Sequence, residues 1–113
     1  MNWLHGPENA VVAADKPPMI WSPEAIADLE AIWDFYAEAA GPRTAEKMIR
    51  EIAATCRTVE EHPFIGRARE EVRPGLRSLV SHPNVVFYRV RNDIPQIVRV
   101  LDGRRDIDSI FVD

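Results

Sequence analysis

Residues 75–106, GLRSLVSHPNVVFYRVRNDIPQIVRVLDGRRD, are where short β-branched and aromatic runs recur at turn-length intervals. Leu76 to Ser81 gives way at His82-Pro83-Asn84, Val85 to Arg91 stops at Asn92-Asp93, and Ile97 to Leu101 ends at Asp102-Gly103. Proline, asparagine, aspartate and glycine in the gaps punctuate strands. Gaps this short join only antiparallel neighbours, because a parallel pair needs a long crossover. The stretch therefore reads as a three-stranded antiparallel meander.

Period-two alternation divides the meander into two faces. Val86, Tyr88 and Val90 point one way, with Val98 and Val100 opposite them. Val85, Phe87, Arg89 and Arg91 share the other face with Ile97, Arg99 and Leu101. The first face asks for a core. The second interleaves apolar side chains with arginines, which suits a partner better than bulk water.

Upstream, Ser22-Pro23-Glu24 is a helix start: a serine N-cap, proline where its missing N–H costs nothing, and an acid at the positive end of the dipole. Ile26, Leu29, Ile32, Trp33, Tyr36 and Ala40 then recur at three- and four-residue spacing. Gly41 stops this helix and Pro42 opens a second, whose apolar side is Ala45, Met48, Ile49, Ile52, Ala53, Cys56 and Val59. So short a joint makes an antiparallel helical hairpin, and its stripe must lie on the sheet. Met19-Ile20-Trp21 offers an N-terminal strand. Phe64 and Ile65 are expected to anchor the link between helix and sheet, with Gly66 as its turn, and Ile107, Ile110 and Phe111 suggest one closing helical turn. The fold class is α+β, with residues 19–113 as one domain and residues 1–18, set off by Pro17-Pro18, as a flexible N-terminal extension. Met19 also has the look of an alternative start.

A chain of 113 residues buries enough surface for one core without metal or disulfide staples. The single cysteine, Cys56, has no partner for an internal bridge. Neither a signal-peptide pattern nor an apolar run of about 20 residues is present, so a cytoplasmic protein with no membrane contact is expected. Net charge is −4, yet residues 63–113 hold nine basic side chains, all arginine. Arginine presents a planar fork to carboxylates, phosphates and aromatic faces.

The side chains offer little catalysis. His5, His62 and His82 stand in no ligand spacing, so neither a metal site nor a cofactor is expected. His62 and His82 each precede a proline and read as turn residues. Cys56 sits on an apolar stripe as a buried thiol. The one enzymatic alternative is cleavage of RNA by its own 2′-hydroxyl, with Arg77, His82, Arg89, Arg104 and Arg105 supplying proton transfer and a phosphate clamp. The net negative charge does nothing to concentrate RNA.

Several separated motifs then occur in a recognisable order. They are Trp21-Ser-Pro-Glu-Ala-x-x-Asp-Leu-x-x-Ile-Trp, Pro63-x-x-Gly-Arg, Gly75-Leu-Arg-Ser, Val86-Phe-Tyr-Arg-Val and Ile97-Val-Arg-Val-Leu-x-Gly-Arg-Arg-Asp. Together they resemble ParE toxins of the RelE/ParE superfamily in bacterial type II toxin-antitoxin systems, over residues 19 to 106. The resemblance implies a non-enzymatic toxin that traps DNA gyrase on cleaved DNA and is silenced in a hetero-oligomer with a cognate antitoxin. The toxin alone is not expected to bind nucleic acid directly. The RelE branch instead cuts messenger RNA in the ribosome, using basic residues where this chain reads Asn84-Val85-Val86 and a tyrosine near the C-terminus. Here the nearest aromatic is Phe111, which has no hydroxyl. A ribonuclease, or an inactive family member, is the alternative. The antitoxin is expected on the second face through Val85, Phe87, Ile97 and Leu101, and the target on Arg77, Arg89, Arg99, Arg104 and Arg105, with no catalytic residue among them.

Overall fold

Ser22 pins the start of the first helix to the sheet. In the computed structural model, which describes residues 19–111, its Oγ accepts the Ala25 N–H at 3.0 Å and donates to the Val98 carbonyl at 2.7 Å, while its backbone N–H donates to Ile97 O at 2.9 Å. The expected extension at residues 1–18 lies outside the described residues. Helix α1 spans Pro23–Ala40 and helix α2 Pro42–Glu61. Gly41 joins them at φ +96°, a conformation only glycine adopts without strain. On α2 the residues Ala45, Ile49, Ile52, Cys56 and Val59 are buried at the expected spacing. The α1 stripe is narrower: Ala25 and Leu29 are buried, while Ile32 and Trp33 are only partly so.

Five strands follow the order β1-β5-β4-β3-β2: β1 (Ile20–Trp21), β2 (Arg67–Ala68), β3 (Arg77–Ser81), β4 (Asn84–Arg91) and β5 (Ile94–Asp102). A one-turn helix, α3 (Ile107–Ile110), comes last. β1 runs parallel to β5 and makes the sheet mixed; the meander β3-β4-β5 is antiparallel as the turns dictate. Asn92 and Asp93 both take positive φ, the left-handed pair that matches a two-residue hairpin to strand twist.

The edge strand β2 departs from the expectation for the link. Phe64 and Ile65, expected as anchors, are 62% and 52% exposed, and the buried residue is Gly66. Its N–H donates to Tyr88 Oη at 2.8 Å, and a Cβ there would lie 2.5 Å from that oxygen. The strand docks by close backbone approach, which an apolar side chain would prevent. Arg77 Nη1 donates to Gly66 O at 2.7 Å and to Phe64 O at 3.2 Å, and its guanidinium lies over the Phe64 ring.

A β-bulge in β5 resets the faces. Val86 pairs with Val100, Phe87 with Arg99 and Tyr88 with Ile97, so Val98 is an extra residue without a partner on β4. Ile97 consequently turns towards the helices and joins Val86, Tyr88 and Val100 in the main core, whereas Val98 packs on the opposite side. Strict alternation had placed these two residues the other way round. The opposite side is also not open. Leu76, Phe87, Leu101 and Phe111 form a second core there, flanked by Val72, Val85, Val98, Ile107 and Ile110. The hairpin covers one face of the sheet, and α3 with the link before β3 covers much of the other.

Candidate partner-binding surface

The five arginines expected to meet a target have different fates. Arg99 reaches across to α1, where Asp28 accepts its Nε at 2.8 Å and its Nη2 at 2.9 Å. The same carboxylate accepts the Val100 N–H at 2.9 Å, satisfying the edge of β5 beyond the point where β1 stops. Hydrogen bonding to Asp28 raises the Arg99 pKa. Arg77 is likewise engaged, tying β2 to β3. Both tie elements of the chain together and are only half-exposed. Arg89 is exposed and donates to Gln96 Oε1 at 2.8 Å across the hairpin.

Arg104 and Arg105 occupy the turn after β5. Asp102 accepts Arg104 Nε at 2.9 Å, Nη2 at 2.7 Å and the Arg104 backbone N–H at 2.8 Å. These bonds hold the Asp102 carboxyl down at about 2. Arg105 is exposed and its guanidinium makes no hydrogen bond or ion pair among the described residues. The pair is thus asymmetric: one arginine is chelated by Asp102, and the other makes no hydrogen bond or ion pair among the described residues.

The four apolar residues expected to meet an antitoxin also separate. Ile97 lies in the helix-side core, so it is not on the second face at all. Phe87 and Leu101 are on that face but buried, with the Phe111 ring edge-on to Phe87 at 5.2 Å. Arg73 clamps Phe111 from outside, its Nη2 donating to Phe111 O at 2.9 Å and its guanidinium lying over the ring. Val85 alone stays partly exposed, and its partner across the ladder, Val80, is 63% exposed. The open apolar surface has moved to this rim.

Beside the Arg104-Arg105 turn lies a groove of about 410 Å³ between α1 and the C-terminal end of β5. Ile32, Phe35, Tyr36 and Val100 contribute its apolar wall, and Asn84, Asp102 and Arg105 its polar rim. Phe35 is 63% exposed and meets Tyr36 edge-on at 5.1 Å. Asn84 is 3% exposed, and its Nδ2 is buried with no acceptor. The expectation from the sequence missed this groove. Its one available signal was an aromatic at position 35, out of phase with the buried stripe of α1.

Catalytic chemistry finds little here. Burial pushes the Cys56 thiol up to about 12, which leaves it inert as a nucleophile. Among the described residues no cluster of three His, Cys, Asp or Glu side chains is placed to hold a metal ion. No helix among them is long and apolar enough to cross a membrane.

With this fold and surface in view, the family model described as the ParE toxin of the type II toxin-antitoxin system parDE matches residues 19–107. The chain belongs to the ParE toxin family. Toxin ParE1 of Mycobacterium tuberculosis is 41% identical over 88 residues, covering 77% of this chain and 90% of the relative. Toxin ParE1 of Caulobacter vibrioides is 39% identical over 84 residues, covering 74% and 86%. Among solved structures, a chain of the chromosomal ParDE toxin-antitoxin system from P. aeruginosa superposes with a TM-score of 0.67 at 30% identity, covering 74% of this chain and 92% of that one.

Proposed function

We propose that this ParE-family toxin acts by binding DNA gyrase, stabilising its cleaved-DNA state, and that a cognate antitoxin neutralises it in a hetero-oligomer. The observation that carries a binding rather than a catalytic role is Phe111. The RelE branch often has a tyrosine near its C-terminus; the nearest aromatic in this chain is a core phenylalanine, packed against Phe87 and clamped by Arg73. Phe111 has no hydroxyl with which to move a proton, whereas the Arg104-Arg105 turn projects a cation beside exposed aromatic surface. The test is to assay the purified chain side by side for gyrase-dependent cleavage of supercoiled DNA and for cuts in ribosome-bound messenger. Accumulation of cleaved DNA without messenger cuts supports the reading; messenger cuts alone overturn it.

The antitoxin contact is assigned to the rim of the second face, where Val85 and Val80 stay accessible, with Phe87 and Leu101 supporting it from beneath. Val80→Asp is expected to weaken antitoxin binding by about 2 kcal/mol, the scale of an interface anchor. Because Val80 is exposed, the melting temperature is expected to stay nearly unchanged. Titration calorimetry checks both statements, and equal affinity in the two proteins moves the antitoxin site elsewhere.

A further inference from the structure

Three features of the groove between α1 and β5 point to a ligand independently of one another. The Asn84 amide is the first. Its Nδ2 is the buried side-chain polar atom left without a partner among the described residues, and burying an unpaired donor is costly unless an acceptor arrives. Charge is the second. Two acids line the groove, but Asp28 is occupied by Arg99 and the Val100 N–H, and Asp102 by Arg104, so the Arg105 guanidinium is left with no hydrogen bond or ion pair among the described residues. The third is the wall of Ile32, Phe35 and Tyr36, where a large aromatic is held 63% exposed next to that charge.

We infer that this groove seats an acidic peptide segment of the toxin's protein target, with a main-chain or carboxylate oxygen accepting from Asn84 Nδ2, an apolar side chain against Phe35, and a carboxylate on Arg105. A space of about 410 Å³ suits one or two side chains of such a segment. A nucleic acid fits poorly: its phosphates need a track of several cations, and here two carboxylates share the rim with two guanidiniums. The antitoxin rim at Val80 and Val85 lies on the opposite face of the sheet from Asn84, which pairs with Ser81 and Asp102 at the helix-side end. The two surfaces are therefore separable by substitution. The assignment rests on the reading of the chain as a toxin that acts by binding.

The experiment uses the full chain with purified gyrase and, separately, purified cognate antitoxin as probes. Two variants break the site: Asn84→Ala, which removes a donor that bonds nothing within the chain, and Phe35→Ser with Arg105→Glu, both at exposed positions. Arg91→Glu, an exposed arginine at the far end of β4, is the control. Each site variant is expected to lose at least tenfold in gyrase affinity, with the control and all antitoxin affinities within threefold of wild type. Gyrase affinities within threefold for both site variants overturn the proposal. So does a tenfold loss of antitoxin affinity, which assigns the groove to the antitoxin. Wild-type protein with no measurable affinity for gyrase contradicts the proposed target instead. The groove is then judged by growth inhibition at matched expression, where a non-toxic Phe35→Ser/Arg105→Glu variant supports it and a fully toxic one overturns it.

Discussion

Phe87→Ala is expected to destabilise the protein by about 3–5 kcal/mol, the cost of truncating a fully buried aromatic in a core that cannot collapse around the void. Phe87 is 0% exposed and touches the second core on all sides: Leu76, Leu101 and the edge-on Phe111 ring, with the Arg69 guanidinium 5.7 Å from its ring centre. The consequence reaches beyond stability. Because α3 is one turn long and seated through Phe111, the loss of Phe87 is expected to release it and raise hydrogen exchange over residues 107–111. A denaturant midpoint equal to that of wild type would show that the second core contributes nothing. Any weakening of antitoxin binding by this variant has to be read against its lowered stability, which is why the exposed Val80 is the cleaner probe.

Asp28→Ala is expected to cost about 2–3 kcal/mol, below the range for a fully buried ion pair because the Arg99 side chain is 24% exposed and Asp28 11%. One carboxylate serves three donors, so its removal strands a guanidinium and also the Val100 N–H on the edge of β5. Adding Arg99→Met removes the stranded charge but not the orphaned backbone donor. The double variant Asp28→Ala/Arg99→Met is therefore expected to regain roughly half the loss in a denaturant titration. Full recovery would mean that the edge N–H finds water at no cost; no recovery would mean that the charge was never the burden.

Much of the scaffold was legible because it rests on local chemistry. Ser22 with Pro23, Gly41 with Pro42, the Ala45 to Val59 stripe and the Asn92-Asp93 turn each act within a few residues, and each forms as expected. The bulge was not legible. Ile97 and Val98 are both aliphatic, so either satisfies period-two alternation; the choice is made by Ser22, whose backbone N–H donates to Ile97 O and whose Oγ donates to Val98 O from the other end of the chain. Strand β2 escaped for a related reason, since Gly66 docks on a tyrosine hydroxyl 22 residues away. The arginines divide along the same line. Nothing near Arg99 in sequence reveals a carboxylate 71 residues earlier, whereas the carboxylate that holds Arg104 stands only two residues before it. Arg105 as the arginine without an ion pair among the described residues, and Asn84 as an unsatisfied amide under the same groove, required the fold.

The central claim is toxicity through contact at the Arg104-Arg105 turn rather than through chemistry, and one measurement addresses it directly: growth inhibition by an Arg104→Ala/Arg105→Ala variant at matched expression. Both side chains are exposed and neither belongs to a core, so the variant is expected to lose growth inhibition while its melting temperature and antitoxin affinity stay near those of wild type. A double variant that remains fully toxic, or one that melts many degrees lower, contradicts the account.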